Sequence, residues 1–149
     1  LIKKEKKPNA LLKANEMLKE FKLDSYAKKY PNELSGGMRQ RIALIRTYLF
    51  SKDVSLLDEP FSALDAITKD EMHDWYMNMR RKYKTSTIFI THDVDEAILL
   101  SDRIYILGDG GIKTEIKIET SVRDNSFKLT KEFLEYKKSV IDCLESTGI

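Results

Sequence analysis

Apolar residues in the first fifty positions recur at the spacing of an α-helix. Over 9–22 they lie three and four residues apart with charged residues between them, which predicts an amphipathic helix. A Tyr-Pro-Asn triplet at 30–32 breaks the chain, and a second helical pattern follows over 35–50. The apolar stripes consist of Leu11, Leu12, Ala14, Met17, Leu18 and Phe21 in the first helix and of Ile42, Ile45 and Leu49 in the second.

After position 50 the pattern changes to short apolar runs that alternate with helical stretches. The runs at 54–57 and 86–91 are typical of strands buried on both faces. Strict alternation over 112–118, after a glycine-rich turn, predicts a hairpin. The predicted order is strand 54–57, helix 66–82, strand 86–91, helix 93–100, strands 103–107 and 112–118, a loop at 121–128 and helix 130–145. This alternation indicates an α/β fold with a largely parallel sheet.

Composition excludes several classes of protein. The 149 residues include 26 Lys and Arg against 24 Asp and Glu, so the net charge of +2 argues against a strongly basic nucleic-acid binder. The longest apolar stretches have about five residues, far below the 18 that a membrane helix needs. Cys143 is the single cysteine, which excludes an internal disulfide framework.

One segment combines serine and two glycines at the start of a predicted helix. In the run 34–41, Ser35, Gly36 and Gly37 leave backbone N–H groups uncovered where the helix dipole adds positive charge. That arrangement favours a phosphate group. An ordinary serine cap followed by a flexible turn explains the same residues equally well.

Acidic residues follow the first strand. Asp58 and Glu59 stand at its carboxyl end, where ligand sites of open α/β sheets lie. One carboxylate can hold Mg²⁺ through water, and the next can orient or deprotonate a water molecule. A solvated acidic turn is the simpler explanation. Asp65 has two explanations as well, since it can cap the helix that starts at Ala66.

A histidine follows the next strand. His92 can hydrogen-bond a phosphate oxygen or a catalytic water from that position, although a single histidine is more often structural. His73 falls inside a predicted helix and is expected to be structural.

Together these segments occur in the order and spacing of the ATP-binding-cassette (ABC) ATPases, and the chain resembles that family over nearly its whole length. Leu34–Gln40 resembles the signature motif, Val54–Glu59 resembles Walker B with its catalytic glutamate, Ser62–Asp65 resembles the D-loop, and His92 resembles the switch histidine. The runs at 58–66, 91–97 and 101–103 are most similar to the nitrate, sulfonate and taurine branch of import ATPases, near which transporters of a thiamine-precursor pyrimidine belong. Met38 is a departure, because many members carry Gln there.

The resemblance implies ATP and Mg²⁺ as cofactors. Asp58 would help to hold Mg²⁺ through water, Glu59 would act as general base, and His92 would contact the γ-phosphate and the attacking water. The implied cofactor-binding residues are Ser35, Gly36, Gly37, Met38, Gln40 and Asp65. The first three would bind the γ-phosphate of ATP held by the other subunit, and Asp65 would communicate across that dimer interface.

The glycine-rich P-loop of this family has no counterpart in the sequence, since no glycine stands at the spacing G-x-x-x-x-G-K requires. The resemblance therefore implies the C-terminal portion of an ATPase subunit, a partial P-loop NTPase core of RecA-like type with part of the helical subdomain. The expected parts are 1–50 with the signature, 51–120 with Walker B, D-loop and switch histidine, and 121–149 as a terminal loop and helix. Such a chain would be inactive alone and prone to self-association through exposed strand edges.

The function that the resemblance implies is energy coupling in a membrane importer. A homodimer of the subunit would dock on permease subunits at the inner face of the cell membrane, in the cytoplasm, without nucleic acid. Two alternatives stay open: an ABC-type ATPase of DNA repair or translation, and a non-catalytic interaction module.

Overall fold

The helices and strands follow the order predicted from the sequence. A computed structural model describes residues 7–50, 54–120 and 123–146. The elements are α1 (Lys7–Glu20), α2 (Gly36–Phe50), β1 (Val54–Asp58), α3 (Ala66–Tyr83), β2 (Ser86–Ile90), α4 (Val94–Leu100), β3 (Arg103–Gly108), β4 (Gly111–Lys117) and α5 (Lys131–Ser146). Positions 121 and 122 of the predicted loop lie outside the described residues, and Phe127–Leu129 forms a 3-10 turn.

The chain divides into two compact units. Of the described residues, the first comprises those within 1–72 and 85–88, and the second comprises those within 73–84 and 89–149. The boundary falls inside α3 and inside β2, so each of these elements contributes residues to both units.

In the first unit, α1 packs against α2. The chain leaves α1 through Lys22, whose φ of 57° is left-handed, and the Leu23 N–H closes the last turn by donating to the Leu18 carbonyl at 2.7 Å. Most of the predicted apolar stripe of α1 is exposed or half-buried, and only Met17 is buried. The buried apolar residues of this unit are Met17, Leu23, Leu34, Leu44, Ile45, Tyr48, Leu57, Phe61 and Met72.

The strand β1 pairs with β2 in a two-stranded parallel sheet. The expectation that both strands are buried on both faces is wrong. Along β1 only alternate residues are buried, and Leu56 on the other face is 70 % exposed. Ile88 of β2 is exposed in the same way. Successive side chains of a strand point to opposite faces, and within the described residues only one face of β1 is covered.

The second unit contains the predicted hairpin. The strands β3 and β4 pair antiparallel, with Ile104 opposite Ile116 and a bulge after Ile106. The last helix, α5, packs against α4 and β3, and the rings of Phe127 and Phe133 meet edge to face with centroids 5.3 Å apart. The buried apolar residues of this unit are Tyr76, Met77, Met79, Ile98, Leu99, Leu100, Ile104, Ile106, Ile118, Phe127, Phe133 and Val140.

No helix among the described residues is both long enough and apolar enough to cross a lipid bilayer.

Candidate functional site

The two acidic residues at the end of β1 have different backbone settings. Asp58 is the last residue of the strand and its side chain is exposed. Glu59 follows with φ at 46°. This is a left-handed backbone conformation, which residues other than Gly, Asn and Asp rarely adopt. The Glu59 carbonyl accepts hydrogen bonds from the N–H and the hydroxyl of Ser62, at 3.3 and 3.0 Å. These bonds hold the reversal of the chain directly after the strand.

The serine-glycine turn forms the first turn of α2. The Ser35 hydroxyl oxygen accepts a hydrogen bond from the Met38 N–H at 3.2 Å, and its carbonyl accepts from the Arg39 N–H at 3.0 Å. Ser35 therefore caps the helix, as the simpler of the two interpretations predicts. Gly36 and Gly37 occupy the first two helical positions, whose N–H groups have no partner inside a helix.

The first unit brings this turn against the segment that follows Glu59. The Gln40 side-chain amide donates to the Pro60 carbonyl. A Cβ placed on Gly37 would lie 3.0 Å from the Thr68 methyl carbon Cγ2, whereas one on Gly36 would make an ordinary contact at 3.8 Å with Leu64. Two segments that are distant in the sequence are thus held together, and a side chain at position 37 would crowd Thr68.

Asp65 caps α3. Its carboxylate accepts hydrogen bonds from the Thr68 hydroxyl at 2.7 Å and from the Thr68 N–H at 3.0 Å. These two bonds lower the pKa of Asp65 below its usual value, and the bond from the Thr68 hydroxyl has the larger effect. The capping interpretation is confirmed.

His92 lies in the loop between β2 and α4, in the second unit, and its side chain is exposed. The residues on either side are fixed. The Thr91 hydroxyl oxygen accepts a hydrogen bond from the Asp93 N–H at 3.0 Å, and the Asp93 carboxylate caps α4 by accepting from Asp95 and Glu96 N–H groups at 3.0 and 3.2 Å. Glu59 belongs to the first unit and His92 to the second.

Sequence reasoning missed one buried acidic residue beside this loop. Glu96 of α4 is 2 % exposed and accepts a hydrogen bond from the Thr91 hydroxyl at 2.9 Å. Its other oxygen lies 3.5 Å from Nε2 of His73, which is equally buried. In the sequence, Glu96 is the acidic residue before the apolar run of α4. A glutamate three residues after the capping Asp93 is also common in helix caps, so its position alone did not indicate burial.

The family model described as ABC transporter matches residues 3–62, which include the signature segment (34–41) and both acidic residues at the end of β1, Asp58 and Glu59. The chain belongs to the ABC transporter family. The aliphatic sulfonates import ATP-binding protein of Bacillus cereus is 41 % identical over 137 residues, which are 92 % of this chain and 55 % of that protein. The formylaminopyrimidine import ATP-binding protein of Halalkalibacterium halodurans is 40 % identical over 74 % of this chain and 47 % of its own length. The ABC chain thus spans about half the length of these relatives.

Solved structures agree with the family. A chain of a metal-chelate type ABC transporter in an inward-facing conformation superposes with a TM-score of 0.66 at 26 % identity, covering 88 % of this chain and 51 % of its own. The predicted α/β, partial P-loop NTPase fold of ABC type is therefore confirmed.

Proposed function

We propose that this ABC chain forms part of the ATP-binding subunit of an importer and that ATP hydrolysis at its site drives solute uptake. One observation supports this most directly: the first unit holds the signature segment against the segment after Glu59, through the hydrogen bond from Gln40 to Pro60. The names of the relatives add support, because they are import ATP-binding proteins. They disfavour an ATPase of DNA repair or translation.

The turn at the start of α2 fits a phosphate group. Ser35 already accepts the N–H groups of Met38 and Arg39, so the N–H groups of Gly36 and Gly37 remain as donors. Neither glycine carries a side chain that would keep an anion away, and the helix dipole favours negative charge there. We assign Ser35, Gly36 and Gly37 to the γ-phosphate of ATP held by a second subunit.

Asp58 and Glu59, at the end of β1, fit the binding of Mg²⁺ and the activation of water. No group of three His, Cys, Asp or Glu side chains that could hold a metal occurs among the described residues. A single exposed carboxylate, Asp58, fits a cation held through water and by nucleotide oxygens instead. When bound, Mg²⁺ would neutralise charge on the phosphates. Glu59 would accept a proton from the attacking water and His92 would orient it, in the roles of general base and positioning group.

The subunit arrangement belongs to the proposal as well. A site shared between two copies requires a homodimer, and Asp65, with Met38 and Gln40 beside the turn, would lie at its interface. Permease subunits would hold the dimer at the cytoplasmic face of the membrane.

The isolated chain is proposed to be inactive, because its sequence contains no P-loop to hold the phosphates. The exposed apolar side chains Val54, Leu56 and Ile88 on the sheet of the first unit favour self-association of the chain in solution.

A chimera tests both statements. The 149 residues are joined to the part of the Bacillus cereus relative that they do not match, and ATP hydrolysis is measured with Mg²⁺ for the chimera and for the chain alone. We expect turnover by the chimera only. Glu59→Gln should lower its rate by about 10² to 10⁴, whereas Glu145→Gln, at an exposed position of α5, should not.

Equal rates in the chimera and its Glu59→Gln variant would contradict the assignment of Glu59. Turnover by the chain alone at the rate of the chimera would contradict the proposed inactivity.

A further inference from the structure

A buried pair of ionisable side chains lies beneath the His92 loop. His73 of α3 and Glu96 of α4 are each 2 % exposed, and Nε2 of His73 lies 3.5 Å from Oε1 of Glu96. Glu96 precedes the fully buried run Ile98–Leu100. A carboxylate in such surroundings is retained only where specific partners offset its loss of water. The pair takes no part in the mechanism proposed above.

The second oxygen of Glu96 connects this pair to the loop. It accepts the Thr91 hydroxyl hydrogen at 2.9 Å, and the Thr91 oxygen in turn accepts the Asp93 N–H at 3.0 Å. His92 lies between these two residues. These hydrogen bonds therefore connect the backbone on both sides of His92, whose imidazole is exposed, to the buried Glu96 carboxylate.

We propose that Glu96 is a positioning residue for His92. It holds Thr91, and Thr91 holds the Asp93 backbone, so that the loop presents the imidazole in one orientation. His73 lies 3.5 Å from the Glu96 oxygen that Thr91 does not bind, and it is equally buried. The importance of this orientation for hydrolysis rests on the proposed function, but the positioning itself does not. A competing explanation is that the Asp93 cap of α4 orders the loop without help from Glu96.

Thr91 allows the two explanations to be separated. Thr91→Val removes the hydroxyl with little change in shape, and Thr91→Ser restores it. Thr87→Val is the matched control, because Thr87 lies in β2, which ends directly before Thr91, and within the described residues its buried hydroxyl has no hydrogen-bond partner. None of these variants alters the Asp93 carboxylate.

The readout is NMR of the 149-residue chain without nucleotide. The sequence contains only two histidines, so His73→Gln assigns both imidazole signals. In Thr91→Val we expect the His92 ring signals to move toward those of an unstructured peptide. Exchange of the Asp93 amide should rise about fivefold, as the loss of one hydrogen bond implies. Thr91→Ser and Thr87→Val should retain the wild-type values of both.

A second variant moves the carboxylate at position 96 away from the Thr91 hydroxyl while keeping its charge. Glu96→Asp is shorter by one methylene, and we expect the same shift of the His92 signals as in Thr91→Val. His92 signals and Asp93 exchange that are the same in Thr91→Val and Thr87→Val would overturn the positioning role. Failure of the proposed function has a different signature, namely a chimera whose hydrolysis does not respond to Glu59→Gln.

Discussion

The contact between Gly37 and Thr68 gives the sharpest prediction for stability. A Cβ at position 37 would lie 3.0 Å from the Thr68 methyl carbon, closer than the ~3.5–4.0 Å at which carbon atoms attract each other. Thr68 cannot easily move, because its hydroxyl and its N–H both bond to Asp65 and because branched side chains are stiff at χ1. Crowding of this kind costs about 1–3 kcal/mol.

The opposing effect is the gain from replacing glycine in a helix. Alanine at a compatible position stabilises by about 0.4–1 kcal/mol, chiefly by restricting the unfolded chain. Gly36→Ala should show that gain alone, since its Cβ would make an ordinary 3.8 Å contact with Leu64. Gly37→Ala should be destabilised by about 1 kcal/mol, so the two variants should differ by about 2 kcal/mol in free energy of unfolding.

Urea unfolding followed by far-UV circular dichroism measures this difference. Thr68→Ser removes the methyl group and keeps the hydroxyl that bonds to Asp65, so it should abolish the cost of Gly37→Ala in the double variant. The coupling between the two changes should be about 1–2 kcal/mol. Gly37→Ala as stable as Gly36→Ala, or a coupling near zero, would refute the packing argument.

Three further predictions concern single side chains. Ser35→Ala removes the hydroxyl that caps α2 and should lower the free energy of unfolding by about 1 kcal/mol in urea titrations. The pKa of Asp65 is lowered by its bonds from Thr68, so the stability it contributes is present at neutral pH and is lost as the pH falls through its lowered folded pKa. Asp65→Asn should make this loss of stability at low pH smaller, as measured by the free energy of unfolding at a series of pH values. Phe133→Ala should cost about 3–5 kcal/mol, whereas Leu134→Ala, at a 59 % exposed position, should have little effect on thermal unfolding.

Local signals in the sequence were sufficient for the order of the helices and strands and for two helix caps. The helix predicted over 9–22 occupies Lys7–Glu20, and the hairpin predicted from the alternation at 112–118 forms as β4 beside β3. These features depend on periodicity and turn residues, which a short window contains. The capping roles of Ser35 and Asp65 were foreseen for the same reason.

Features that depend on distant parts of the chain were not predictable. The apolar run of β1 indicated a strand correctly, but nothing in it shows whether both faces are covered. The burial of Glu96 depends on His73 of α3 and on Thr91 of the loop before α4. The contact between Gly37 and Thr68 arises only when α2 and α3 are packed in the first unit. In each case the missing information is a tertiary neighbour.

Among the non-glycine residues that the structure describes, the left-handed backbone at Glu59 differs from the two other such positions. Lys22 and Lys84 also have positive φ, but they lie just past the ends of α1 and α3, where that conformation completes the last turn of a helix. At position 59 glycine would adopt the same φ without the steric cost of a side chain. A designer who optimised this domain for thermal robustness alone would therefore choose Glu59→Gly and discard the carboxylate. Under the function proposed above, natural and engineered optima diverge at that residue, which makes it an informative position at which to measure a trade-off between activity and stability.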